Sequence, residues 1–256
     1  MNHSQYYQAN TAYAVFLSAL PEQMYQKYID HLWVDGGKTL DVGCGVGAAV
    51  RALTVRGGEI DGIDPCEPAI ERARHGPGTF WIGEATALPF QDASFDSVGS
   101  FTVLEHTSQP EVVLREMVRV LKPGGRIVVA CPNFLRVVGL SAHHWHNRGL
   151  RQKMHNLATL ARKMWWARFQ PERMAFDHMP AVIREGAFEP DDDAITVTNA
   201  VDIAFFLRPT VRITYRSGLL TYSGPRLDRL AEMPVVRTLI GNVFLVGERV
   251  APASLS

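Results

Sequence analysis

Thr39-Leu40-Asp41-Val42-Gly43-Cys44-Gly45-Val46-Gly47 is the stretch of this chain best furnished for chemistry. A strand-like apolar run turns through alternate glycines into a helical pattern. Glycine belongs where the backbone takes positive φ, or where a ligand approaches with no Cβ in the way. The helix beyond offers free N–H groups to an anionic or polar ligand. Alone, such a turn serves ligand binding and plain chain reversal about equally. Context raises the first reading: Gly43-x-Gly45-x-x-Ala48, with Asp64 about 20 residues on, satisfies a dinucleotide fingerprint. A carboxylate at the C-terminal end of Glu59–Asp64 can accept both hydroxyls of a ribose, and it can also cap the helix that follows. Ligands of open α/β sheets bind at strand ends, which favours the ribose. Asp41 stands just before the turn, where a nicotinamide-dinucleotide site is normally apolar. A carboxylate there stabilises a cationic ammonium or orients the loop, and so suits an amino-acid-bearing ligand better than a pyrophosphate.

Two further groups of residues offer proton or metal chemistry. Glu105-His106 lies where a fourth strand should open onto the ligand, and histidine titrates near working pH, so His106 is a candidate base. The alternative is a turn cap or a ligand contact. Five of the nine histidines (143, 144, 146, 155 and 178) fall in one stretch. Within His143-His144-Trp145-His146 adjacent residues do not share a helix face, and no carboxylate or cysteine nearby completes a set, so no metal site is expected. A histidine there acting on substrate, with His144 the candidate, fits better. Cys44, Cys66 and Cys131 form no CxxC pair and have no basic partner to activate a thiolate.

The elements that must position these groups alternate. Thr39–Val42, Glu59–Ile63, Ser97–Phe101 and Arg126–Ala130 read as strands, and Ala48–Arg56, Glu67–Arg74 and Glu111–Leu121 as helices. In the last, Val112, Val113, Met117, Val120 and Leu121 form an apolar face that stops at Lys122-Pro123-Gly124-Gly125. Such alternation implies a doubly wound α/β domain with a mostly parallel sheet. Ala194–Thr198, Val211–Tyr215 and Asn242–Glu248 read as late strands, with a short buried helix at Val201–Leu207. Residues 134–193 break the alternation. Leu150, Met154, Leu157, Ala161 and Met164 recur there at helical spacing, and the stretch is a candidate lid. Eight basic residues and one acid lie between Arg136 and Arg173, then six acids and one base between Asp177 and Asp193. The basic run could meet an acidic substrate, but a solvated face that pairs with the acidic run is favoured. Trp165, Trp166 and Phe169 are expected to pack the insertion onto the core.

Composition bounds the rest. The 256 residues are 46% apolar and balance 26 basic against 26 acidic side chains. That supports one domain with a substantial core and gives no basic field for a dedicated nucleic-acid binder. There is no membrane-span-length apolar run, no signal-peptide pattern and no disulfide framework, so a cytoplasmic setting is expected.

Three more motifs follow in order: Gly83-Glu84-Ala85 leading into Ala87-Leu88-Pro89-Phe90, Ser94-Phe95-Asp96-Ser97-Val98 leading to Val103-Leu104-Glu105-His106, and Arg119–Arg126 before a strand ending Cys131-Pro132-Asn133. With these, residues 38–133 closely resemble the class I S-adenosylmethionine-dependent methyltransferases, in the small-molecule group that includes the ubiquinone and menaquinone biosynthetic enzymes. The resemblance implies a Rossmann-like, seven-stranded, mostly parallel sheet with one antiparallel strand. It also implies an N-terminal cap over 1–36, a cofactor-binding half over 37–133, a helical lid over 134–193 and closing strands over 194–250. Asp41, Gly43, Cys44, Gly45 and Gly47 would cradle the methionine part of S-adenosylmethionine, Asp64 would hold the ribose, and Pro65 and Cys66 would lie beside the adenine. Glu84, where relatives often have Asp, would face the adenine edge with Ala85, while Phe101 and Thr102 would line the methionine end. Tyr6 and Tyr7 stand where relatives fold a helix over the cofactor, with Tyr7 the contact expected, whereas Tyr13, Phe16 and Leu17 fit a buried face. The implied reaction methylates an O, N or C nucleophile of a small molecule held under the lid and leaves S-adenosylhomocysteine. An RNA methyltransferase, a non-catalytic S-adenosylmethionine-binding protein and an NAD dehydrogenase are the alternatives. The last leaves Leu104-Glu105-His106 and Lys122-Pro123-Gly124-Gly125 without a role.

Overall fold

The computed structural model describes residues 11–138, 149–181, 193–239 and 241–251. Two short helices, α1 (Thr11–Ser18) and α2 (Gln26–Leu32), precede the expected alternation. It then runs β1 (Lys38–Val42), α3 (Ala48–Val55), β2 (Glu59–Asp64), α4 (Glu67–Ala73), β3 (Thr79–Ile82), β4 (Phe95–Phe101), α5 (Pro110–Val120) and β5 (Leu121–Cys131). β8 (Val211–Ser217) and β9 (Val243–Arg249) complete one sheet in the order β3-β2-β1-β4-β5-β9-β8. The first five strands are mutually parallel, and β9 runs antiparallel to both its neighbours. This is the Rossmann-like, mostly parallel seven-stranded sheet that the sequence predicts.

One expected strand lies elsewhere. Within Ala194–Thr198 only Thr196–Val197 (β7) is extended, and it pairs with Asp177–His178 (β6) in a separate ribbon. Its neighbours are tied to loops instead: Ile195 N–H donates to Glu105 O (2.8 Å), and Thr198 accepts from Phe134 N–H (2.9 Å) and donates through Oγ1 to Pro132 O (2.7 Å). The seventh place in the sheet belongs to β3, which has four residues and an edge position with Trp81 and Ile82 half exposed. So short an edge strand carries no alternation to read.

α5 meets the sheet with Val113, Leu114, Met117, Val118 and Val120, all buried. Each such side chain contributes ~1.5–3 kcal/mol relative to exposure. From the same helix Arg119 donates to Glu116, to Asp92 and to the carbonyls of Leu88 and Phe90. That clamp fixes the loop behind Glu84 and Ala85.

The insertion contributes α6 (Leu150–Phe169), and α7 (Ala200–Leu207) follows it. α6 lies where its spacing predicts a helix, but the apolar stripe faces out: Leu150, Met154, Leu157 and Met164 are exposed. Trp165 and Phe169 are exposed too and pack on each other at 5.7 Å, which corrects the expectation that they seal the insertion to the core. The buried face is Asn156, Thr159, Leu160 and Lys163. Polar partners select it. Asn156 donates to the carbonyls of Phe134 and Arg136, while Lys163 Nζ meets Ala175 O (2.7 Å), Asp202 (2.8 Å) and Asp177 (3.0 Å). α8 (Pro225–Glu232) and α9 (Pro234–Leu239) connect β8 to β9.

Candidate cofactor cleft and active site

The strand order reverses between β1 and β4, which in open α/β sheets is where ligands bind. The turns after β1, β2 and β4 meet there. Gly43 takes φ +74° and packs so tightly on Val103 that a Cβ would overlap its Cγ2. Gly45 takes φ +52°, and a Cβ on it would stand 2.6 Å from Leu17 of α1. The turn is locked to β2 by Gly43 N–H and Cys44 N–H, which donate to Ile63 O (2.8 and 3.1 Å). Asp64 completes the lock: Oδ2 accepts from Gly45 N–H (2.9 Å) and Oδ1 from Cys66 N–H (2.8 Å). Thr102, after β4, holds φ +56°. A β-branched residue there is strained, and such strain gathers at functional sites.

Two cavities open around this turn and share Tyr13, Gly43 and Thr102. The larger, about 350 Å³, is lined by Asp64, Pro65, Glu84, Ala85 and His106 among others. The smaller, about 30 Å³, is lined by Asp41, Cys44, Gly45, Phe101, Tyr25 and Tyr28 among others. The buried Asp41 accepts a 2.6 Å hydrogen bond from Tyr28 Oη. Burial pushes its carboxyl up to about 7 against the opposing pull of that bond. Burial likewise pushes Asp64 up to about 6, against its two backbone donors.

His106 Nδ1 stands 3.4 Å from Asp193 Oδ1, and Nε2 stands 3.9 Å from Glu105 Oε1. Both carboxylates are buried. The backbone joins the same two segments, since Glu105 O accepts from Ile195 N–H and Thr107 O accepts from Thr196 Oγ1–H (2.5 Å). The end of the insertion therefore delivers a carboxylate to the histidine after β4.

Most predicted site residues meet here. Asp41, Cys44, Gly45 and Phe101 line the small cavity, Asp64, Pro65, Glu84, Ala85 and His106 the large one, and Gly43 and Thr102 both. Gly47 and Cys66 are among the lining residues of neither. Gly47 caps α3, where a Cβ would stand 2.6 Å from Phe80, so packing explains that glycine. Cys66 is fully buried with Ala14, Val46 and Ala69 and reaches the site through its amide. Tyr6, Tyr7, His143, His144 and His146 lie outside the described residues. Tyr13 packs with Leu17 against the buried cluster of Ala14, Val46, Cys66 and Ala69, as expected of a buried face, and it also lines both cavities. The sequence reading passed over Tyr25, Tyr28 and Asp193. The first two are spaced to share a helix face, and Asp193 is hidden at the end of an acidic run.

Residues 40–129 match the family described as a methyltransferase domain. Methyltransferase GfsG of Streptomyces halstedii is 35% identical over 125 residues, covering 44% of this chain and 45% of that protein. Demethylmenaquinone methyltransferase of Renibacterium salmoninarum is 37% identical over 99 residues, covering 38% and 42%. The chain thus spans less than half the length of these curated relatives. An S-adenosylmethionine-dependent methyltransferase structure from Mesorhizobium loti superposes with a TM-score of 0.58 at 16% identity, over 91% of this chain and 100% of that one, and so shares its fold.

Proposed function

We propose, from the methyltransferase domain that residues 40–129 carry, that the chain transfers a methyl group from S-adenosylmethionine to a small-molecule nucleophile. One observation carries the reading: Asp41 and Asp64, both buried, line the cavities on either side of the glycine turn. Buried carboxylates repel a pyrophosphate and favour a ligand with a cation at one end and sugar hydroxyls at the other. Asp64 would accept from the ribose, Glu84 and Ala85 would border the adenine, and Asp41 would face the ammonium between Tyr25 and Tyr28. Bound S-adenosylmethionine supplies an electrophilic methyl on its sulfonium. The strained Thr102 and the Gly43 turn, shared by both cavities, would hold that end in line with the acceptor, and alignment of this kind supplies much of the rate.

His106 takes the acceptor's proton in this reading. Asp193 favours the tautomer with the proton on Nδ1, which leaves Nε2 to accept, and Glu105 offsets the positive charge that develops. Asp193 is thus a positioning residue. The far wall of the cavity is Thr107, Ser108, Gln109 and Ile195, and among the described residues no Lys or Arg lines it. That supports a neutral, hydroxyl-bearing acceptor over the acidic one suggested by the basic run, most simply one methylated on oxygen. The cytoplasmic setting belongs to the same reading and is supported by three cysteines that are buried and form no CxxC pair. Among the described residues no helix is long and apolar enough to cross a membrane.

Calorimetric titration with S-adenosylmethionine, S-adenosylhomocysteine and NAD tests the reading. Binding of the two sulfur ligands, followed by transfer of labelled methyl to hydroxylated acceptors, is expected, and binding of NAD alone would overturn it. His106→Ala should lower kcat by roughly 100-fold or more, the scale of general-base catalysis, with S-adenosylhomocysteine affinity unchanged. Asp193→Asn should lower kcat by a smaller factor and leave KM for S-adenosylmethionine in place. Unchanged turnover in His106→Ala would remove it as the base.

A further inference from the structure

A third cavity, of about 310 Å³, lies between α6, α7, α9 and the edge formed by β8 and β9. None of its lining residues lines the two cavities around the glycine turn. Its walls are largely apolar, with Met164, Phe205 and Phe244 among them, yet Arg208, Arg216 and Arg237 also line it. Three guanidiniums around one apolar-walled space repel one another unless an anion joins them. Among the described residues no carboxylate forms an ion pair with any of the three, and Arg237 donates only to a backbone carbonyl, that of Glu232 (3.1 Å). Burial lowers the pKa of the half-buried Arg216, and the neighbouring Arg237 and Arg208 lower it further. Among the described residues the local charge has no carboxylate partner.

Met164 belongs both to this cavity and to the outward apolar stripe of α6, where it is exposed beside Trp165. The space is therefore bordered by cations, Arg208 exposed and Arg216 and Arg237 half-buried, and opens onto an apolar surface. Guanidinium forks match the paired oxygens of a phosphate or carboxylate. We infer that this cavity binds the oxyanion of an amphiphilic molecule, with the three arginines on the anion and the apolar part against Phe205 and Met164. The inference is independent of the methyl-transfer reading, because the two sites share no residue.

The test is direct binding to the full chain. Octyl phosphate, inorganic phosphate and octanol are titrated calorimetrically into the wild type and into Arg216→Gln/Arg237→Gln, with far-UV circular dichroism as the control for folding and S-adenosylhomocysteine titrated separately. Octyl phosphate should bind the wild type more tightly than inorganic phosphate does. Loss of two charged partners should weaken it ~10-fold or more. Octanol should not compete. Cosedimentation with vesicles of phosphatidylglycerol in phosphatidylcholine distinguishes the sources. Sedimentation of the wild type but not of the double variant would assign a lipid headgroup, whereas octyl phosphate binding without sedimentation would assign a soluble amphiphile. Octyl phosphate affinity that is unchanged in the variant, matched by octanol, or absent alongside absent vesicle binding would overturn the inference. Failure of S-adenosylhomocysteine to bind a protein that still takes octyl phosphate would count against the proposed function alone.

Discussion

Asp64 reaches the cleft while both its oxygens already accept backbone N–H groups from Gly45 and Cys66, so one carboxylate sets the shape of the turn and presents the remaining lone pairs to a ligand. Asp64→Ala should weaken S-adenosylhomocysteine binding by at least ~10-fold, since a hydrogen bond to a charged group is worth ~1.5–3 kcal/mol. Far-UV circular dichroism should change little, and normal binding by the variant would remove the ribose assignment. The raised carboxyls also predict a pH dependence. In the ligand-free protein Asp41 takes up a proton as pH falls through about 7, and Asp64 as it falls through about 6. A cationic, hydroxyl-bearing ligand prefers both ionised, so S-adenosylmethionine affinity should fall as pH drops through that window, and binding within it should release protons. Calorimetry in buffers of different ionisation enthalpy measures the release, and Asp41→Asn should abolish its upper part. For folding the sign is opposite: raised carboxyls contribute stability that is fully present below the unfolded value of about 4 and is lost as pH rises through about 6 and 7.

At the scale of elements, α6 shows what periodicity can and cannot disclose. Spacing located the helix, but the side facing the protein is the one that carries Asn156 and Lys163, because their partners Phe134, Arg136, Asp177 and Asp202 come from distant parts of the chain. Such partners leave no trace in a local pattern. Asp193 escaped notice for the same reason, since only the fold brings it to His106. The residues after β1, β2 and β4 were legible because their chemistry is local: glycine for positive φ, and a carboxylate at a strand's end. Lys163 and Asp202 are almost wholly buried, at 1% and 0% exposure, so the pair tests the anchoring of the insertion. Lys163→Met leaves a buried carboxylate without its cation and should cost about 3–5 kcal/mol in urea denaturation. Lys163→Met/Asp202→Leu should recover most of that loss. A single variant as stable as the wild type would mean that α6 is held by its other contacts.

Across the whole molecule, the cleft draws on residues from Tyr13 to Ile195, contributed by the two N-terminal helices, the turns after four strands and the segment just past the insertion. A ligand that touches all of these at once should stabilise them together. At 100 times its Kd, a ligand specific to the folded state adds about 2.7 kcal/mol. For a chain near this length each kcal/mol raises Tm by about 2–4 °C. S-adenosylhomocysteine at that excess should therefore raise Tm by about 5–10 °C in a single transition. Arg216→Gln should shift equally, since its side chain lines a separate cavity, and Asp64→Ala should shift far less at the same concentration. If the ligand instead split the melt into two transitions, with only the 38–133 half moving, the insertion would unfold independently of the cleft. The hydrogen bonds that Ile195, Thr196 and Thr198 make to the loops after β4 and β5 argue for one transition, because they bind the segment just past the insertion to the strands that carry the ligand's other contacts.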